Sequence, residues 1–297
     1  MIKTFFKLLL CVIIYTVVFL AAIVLLPHTQ EFREMKQPDN PFGFLFLVIN
    51  SAFVCFVVYF IIKNSMINGI KLFLISAGAV FFVQSFMTQI ETLFFIRAFK
   101  GLTAFDVTLF MVRDLIALTA TVPLMIKFFQ NKEIVCEVIK VDVKSVIPKF
   151  GIIGVIYTIV YMTFGYFVAW QFEALRLFYS GSAEKLSFFG QLVNNVKTNP
   201  LIYPFQFIRG LLFSVAILPL LFVINKKKIF VFSVCLVYFS TSTVLLVPNA
   251  LFPDMVRYGH LIEMSTSMIV FGLIVGNIMY IKNYLVKCSS MCRKINF

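Results

Sequence analysis

Little of this chain is charged, and very little of it is acidic. Of its 297 residues 13% are Asp, Glu, Lys or Arg, with 13 acidic residues against 26 basic ones. His occurs twice, as His28 and His260, far apart in sequence. Two separated His cannot build a zinc site, so no metal and no cofactor is expected. No P-loop phrase is present, no His-Glu-x-x-His, no Gly-x-Ser-x-Gly and no paired Asp-rich motif. The common nucleotide, metalloprotease, serine-hydrolase and prenyl-diphosphate chemistries therefore have no support in sequence. The net charge of +13 invites a nucleic-acid reading. The basic residues are scattered among apolar runs, however, with no basic helix or RNA-binding phrase, so no nucleic-acid partner is expected.

Cysteine is present without an obvious role. Cys11, Cys55 and Cys235 fall in apolar runs and act as small hydrophobes. Cys136, Cys288 and Cys292 lie on the side assigned below to the cytoplasm, so no structural disulfide is expected. Cys288-x-x-x-Cys292 has no His nearby to complete a metal site and reads as a pair of inert thiols, or as palmitoylation sites in a eukaryotic host.

What the chain has in abundance is apolar length. It is 61% hydrophobic with 38 Phe, and its mean hydropathy is +0.98. These values describe an all-α polytopic membrane protein, one membrane domain over 1–297. Apolar runs of about 20 residues read as spanning helices. Eight are present, near 5–26, 42–62, 70–95, 107–129, 150–175, 201–224, 229–248 and 258–281, hereafter spans 1 to 8. The first is too long for a cleaved signal core and reads as an uncleaved anchor. The stretch 134–147 alternates loosely and fits either a short strand or a helix at the interface.

Lys and Arg set the orientation. With both termini on one side, the far side holds seven, Arg33, Lys36, Arg97, Lys100, Arg176, Lys185 and Lys197, and the near side sixteen. The near side is then cytoplasmic, in the plasma (inner) membrane of a cell. The outer loops carry no Asn-x-Ser/Thr sequon.

An imperfect repeat runs through the middle of the chain. Arg113 to Lys132 resembles Arg209 to Lys228, each with a Pro-Leu ten residues after the Arg, at Pro123 and Pro219. Gln89-Ile90-Glu91 precedes the first copy and Gln171-Phe172-Glu173 the second. The units cover about 80–133 and 162–228, pairing spans 3–4 with spans 5–6. They read as parallel copies that should superpose Arg on Arg and Pro on Pro. The spacing from Glu to Arg is 22 residues in the first and 36 in the second, so the outer loop of the second is longer. A weaker third echo spans 229–281, where Met255-Val256-Arg257 repeats Met111-Val112-Arg113. The two Pro read as shape kinks, or as hinges.

Arg113, Arg209 and Arg257, with Glu91, Glu173 and Glu263, then form one polar layer in the outer half of the bilayer. His260 shares a helix face with Arg257 and Glu263. Charges inside a membrane are costly, so a site is one reading: the Arg residues bind a small anionic or amphiphilic ligand and the Glu residues neutralise it or exchange protons. An enzyme acting on a lipid headgroup or lipid-linked substrate is a second, with His260 and Glu263 as acid and base. The third is a non-catalytic subunit braced by Glu91 with Arg113 and Glu173 with Arg209. Membrane lipids are partners in every case. Gly272-x-x-x-Gly276 offers a close-packing face, within the fold or in a homo-oligomer.

The orientation is directly testable. A C-terminal alkaline phosphatase fusion should be inactive and a fluorescent fusion bright. An active phosphatase would overturn the cytoplasmic assignment of the C-terminus.

Overall fold

Backbone amides in hydrocarbon have no water to bond, so each apolar run closes its hydrogen bonds internally as a helix. The computed structural model describes residues 2–36, 38–130 and 143–280. Among these it is all-helical, with eight helices long and apolar enough to cross a membrane. Spans 1 to 4 are Ile2–Leu25, Gly43–Asn64, Gly69–Phe94 and Ala104–Phe129. Span 5 is Val143–Phe167 and span 6 is Ile202–Ile217, prolonged by a 3-10 turn Leu218–Phe222. Span 7 is Lys227–Thr243 and span 8 Asp254–Met279. Cys136, Cys288, Cys292 and most of the alternating stretch lie outside the described residues; the part from Val143 onward is helix.

Consecutive spans alternate in direction, and loop contacts define two ends. At the lysine-rich end Met66 N–H donates to Val223 O (2.9 Å), Lys149 Nζ to Ile278 O (2.6 Å) and Tyr280 Oη to Asn225 O (2.6 Å). At the other, loop-rich end the connections carry short helices, Gln30–Arg33, Glu173–Ser180 and Phe188–Thr198. Large apolar side chains such as Phe5, Phe44, Ile152 and Leu273 remain exposed along the spans, as a surface facing lipid requires.

Span 8 lies along span 7, span 6 along span 5 and span 1 along span 4. Glycine sets two of these approaches. A Cβ on Gly210 would sit 2.7 Å from the Gly154 Cα of span 5. Cβ atoms on Gly272 and Gly276 would each sit 2.9 Å from a Cα of span 7, those of Cys235 and Val231. The Gly272/Gly276 face therefore packs inside the fold, against span 7.

Span 3 is the central strut. Its middle, Phe81–Phe86, is a π-helical turn. Such a turn inserts a residue into the helical ladder and re-aims the side chains around it. Here Gln84 Nε2 donates to Asn50 Oδ1 of span 2 (3.2 Å), which also accepts from Thr243 Oγ1 of span 7 (2.8 Å). Ser85 Oγ turns instead to Asp114 Oδ2 of span 4 (2.6 Å).

The duplication expected from sequence is not shown by this arrangement. Pro123 lies inside a continuous helix, whereas Pro219 sits in the 3-10 turn that ends span 6. Span 5 also stops earlier than anticipated, at Phe167, and a 3-10 turn Ala169–Gln171 leads out of it.

The loop-rich end is fastened by Asp106, which is wholly buried. Its carboxylate accepts from Thr29 N–H (2.9 Å), Thr29 Oγ1 (2.7 Å), Thr103 Oγ1 (2.6 Å) and Thr103 N–H (3.3 Å), and His28 Nδ1 lies 3.1 Å away. Thr103 and Asp106 form a capping box at the start of span 4. One carboxylate thus caps a helix and pins the loop from span 1. Replacing it strands several buried donors at once. Asp106→Ala should cost roughly 3 kcal/mol or more, read as a clear fall in the melting temperature of the detergent-solubilised protein; an unchanged melting temperature would contradict this role.

Candidate functional site

An Arg in a membrane span must find acceptors for its guanidinium, and the three do so differently. Arg209 is buried, about 10 Å along span 6 from its loop-rich end at Ile202. Its Nη2 lies 2.7 Å from Glu91 Oε2 of span 3 and donates to Met87 O at 3.2 Å. Its Nη1 donates to Gln206 Oε1 one turn back (2.9 Å). The rings of Tyr157, Phe205 and Phe213 surround it at 5.4 to 5.9 Å, a favourable setting for a desolvated cation.

Arg113 does not meet Glu91. Its Nη2 and Nε bond Asp114 Oδ1 at 2.8 and 2.9 Å, and the guanidinium lies over the Phe19 ring of span 1 at 4.3 Å. The brace expected between Glu91 and Arg113 is thereby replaced by one across the two hairpins, Glu91 to Arg209. The brace expected between Glu173 and Arg209 is also absent. Span 5 ends before Glu173, which is exposed and opens the short helix Glu173–Ser180. There its charge suits the positive helix terminus.

Arg257 is buried too, but it finishes a neighbouring helix. Its Nη1 donates to Leu245 O and Leu246 O (2.9 Å each) at the end of span 7, and its Nη2 bonds Asp254 Oδ1 (2.6 Å). It serves as a C-cap carried by another helix.

The remaining residues of the expected layer, His260 and Glu263, lie on span 8. His260 Nε2 and Tyr179 Oη are 2.9 Å apart. His260 Nδ1 is 4.0 Å from Glu263 Oε2, and Ser267 Oγ donates to Glu263 Oε1 (3.3 Å). Tyr157, Tyr161 and Tyr179 are each within electrostatic reach of both Glu91 and Glu263. Tyr179 lies in the loop-end helix, where burial pushes its phenol above the ordinary range, with the two acids adding to the effect. Glu91, Arg209, His260 and Glu263 therefore belong to one polar group, while Arg113, Arg257 and Glu173 each lie in other surroundings.

Three buried polar atoms in this group have no hydrogen-bond partner among the described residues: Arg209 Nε, Gln206 Nε2 and Tyr157 Oη. All three can donate. They sit on adjacent spans 5 and 6, around one guanidinium. Leaving such groups unpaired in an apolar interior is costly, and each would gain from an acceptor. Among the described residues no group of three or more His, Cys, Asp or Glu is placed to hold a metal ion.

Several members escaped sequence reasoning. Gln206 had a legible signal, since it precedes Arg209 by three residues and so shares its face. Tyr157 and Tyr179 had none, because an aromatic in an apolar run looks like packing.

The corrected pairing can be measured. A double-mutant cycle of Glu91→Gln with Arg209→Gln, read from melting temperatures, should give a coupling on the order of 1–3 kcal/mol. The cycle of Glu173→Gln with Arg209→Gln should give none. Equal coupling in both would reject the assignment.

Comparison with protein-family models, with curated proteins and with solved structures finds no match to this chain, so its functional reading rests on this geometry.

Proposed function

We propose that this multi-pass membrane protein binds or translocates a small anionic or amphiphilic, lipid-like molecule through the polar group of spans 3, 5, 6 and 8. The observation that carries the reading is the set of three open donors, Arg209 Nε, Gln206 Nε2 and Tyr157 Oη. They present hydrogen-bond donors to a ligand acceptor inside an aromatic, water-poor wall.

Charge decides between ligand types. Arg209 is already matched by Glu91 (2.7 Å), and Glu263 adds a second acid nearby. A neutral acceptor, such as an ester, amide or polyol oxygen of an amphiphile, can join the open donors without disturbing that balance. An anion has to take the place of Glu91, whose side chain is 24% exposed and has room to leave. In the orientation set by the lysine bias, with both termini cytoplasmic, the group lies in the outer half of the plasma membrane. The enzymatic alternative, action on a lipid headgroup or lipid-linked substrate, rests on the Tyr179–His260 contact with Glu263 at 4.0 Å.

Tyr157→Phe is the sharpest test, because it removes only an unpartnered hydroxyl. If Tyr157 merely packs, the variant should be as stable as the parent, or slightly more so, and fully functional. Under the proposal it should fold normally yet fail to restore the lipid and metabolite profile of a deletion strain. It should also lose an amphiphile that co-purifies with the parent in native mass spectrometry. Glu91→Gln then separates the ligand types, strengthening retention of an anion and leaving a neutral ligand unchanged. Full complementation by both Tyr157→Phe and the Glu91→Gln/Arg209→Gln double variant would reject a binding site here. Loss of function in His260→Ala with the ligand still retained would favour the enzymatic reading.

A further inference from the structure

The opposite end of the bundle carries a second, unrelated feature. Gly272 and Gly276 draw span 8 against span 7, and beside this tight crossing lies a furrow of about 430 Å³. Its walls are Val231, Phe232 and Cys235 of span 7 and Leu273 of span 8. Phe232 and Leu273 are about half exposed. Asn277 at the rim turns its amide back to Leu273 O (2.9 Å), so it adds little polarity. The mouth is formed by Lys227 and Lys228.

These two lysines are exposed, and among the described residues neither has an Asp or Glu within ion-pair distance. They stand in the first turn of span 7, whose start has no side-chain cap. Two unmatched ammonium groups beside a helix start attract a phosphate. From Lys228 to Cys235 the furrow descends seven residues, about 10 Å along the helix. That is deep enough to hold the upper part of an acyl chain, and the walls there are apolar. A charged mouth over an apolar furrow, at the level where a membrane helix meets the interface, matches a two-part ligand. An anionic leaflet lies on the cytoplasmic side, which is where the lysine bias puts this end.

We propose that the furrow between spans 7 and 8 binds an anionic phospholipid, with its phosphate against Lys227 and Lys228 and one acyl chain along Val231, Phe232, Cys235 and Leu273. The site is separate from the Arg209 group, at the other end of the bundle, and does not depend on what that group binds.

The test uses the full chain, delipidated in detergent and titrated with phosphatidylglycerol or phosphatidylcholine, with bound lipid counted by native mass spectrometry. A contribution of about five-fold per lysine, which is roughly 1 kcal/mol each, is the expected scale. The parent should retain phosphatidylglycerol at least about five-fold better than phosphatidylcholine. Lys227→Gln with Lys228→Gln should bring that ratio close to one, with an unchanged melting temperature. Replacing both by Arg should keep the preference. Lys63→Gln with Lys127→Gln, exposed at the same end, should leave it intact, and glycerol phosphate at the lipid's concentration should not compete. The proposal is overturned if the parent shows no headgroup preference. It is likewise overturned if the Lys63/Lys127 pair matters equally, which would indicate diffuse charge, or if glycerol phosphate displaces the lipid, which would indicate a soluble phosphate ester.

Discussion

A guanidinium buried among apolar helices has to be matched, and the match found by Arg209 organises this bundle. Its partner, Glu91, sits on a helix that is neither its hairpin mate nor its neighbour in sequence. The pair therefore ties span 6 to span 3, and both to span 5 through the Tyr157 ring at 5.4 Å. Removing one member would leave an uncompensated charge in a low-dielectric interior, at a cost of about 3–5 kcal/mol. The other two Arg residues solve the same problem locally, Arg113 with the adjacent Asp114 and Arg257 with the carbonyls that end span 7. Their solutions are self-contained. Arg257 leaves only its Nε unpartnered, whereas at Arg209 three donors from two spans, Arg209 Nε, Gln206 Nε2 and Tyr157 Oη, are left over together.

Span 3 makes the long-range match possible. The π-helical turn at Phe81–Phe86 lets adjacent residues face different partners, Gln84 toward spans 2 and 7 and Ser85 toward span 4. Beyond the turn, Met87 O and Glu91 both reach Arg209. One helix thus holds polar contacts to three others, spans 2, 4 and 6, and reaches span 7 through Asn50. A regular α-helix would put Gln84 and Ser85 about 100° apart and carry that phase forward unchanged. The inserted residue shifts the phase of everything after it, including Glu91.

The sequence announced the eight spans because hydropathy and length are local properties, and the helices lie close to where the apolar runs do. It showed the charges inside the apolar runs for the same reason, since such a charge is visible wherever it points. Partners were not legible. Pairing depends on which helices are neighbours and how each is rotated, and neither follows from composition. Glu91 and Arg113 looked like a pair because they share a hairpin, yet Asp114 was closer at hand. Glu173 looked buried because the apolar run continues to its doorstep, yet the helix stops at Phe167 and turns out through Ala169–Gln171. Gly272 and Gly276 read as a packing face, and within the fold that face meets span 7.

The two ends of the bundle differ in how they treat some of their charged groups. At the loop-rich end two buried charged side chains are held by the chain itself. Asp106 takes donors from two segments, and Arg176 donates to Ala183 O, Trp170 O and Gln171 O. Other charges there, such as Arg33, Lys36, Arg97 and Lys100, stay exposed. At the lysine-rich end Lys63, Lys127, Lys227 and Lys228 stand exposed. For Lys227 and Lys228 the proposed compensation comes from outside the fold, from the phosphate of an anionic lipid. The buried charges of the loop-rich end thus find their counter-groups within the chain, whereas the proposed phospholipid would supply those of Lys227 and Lys228 from outside it.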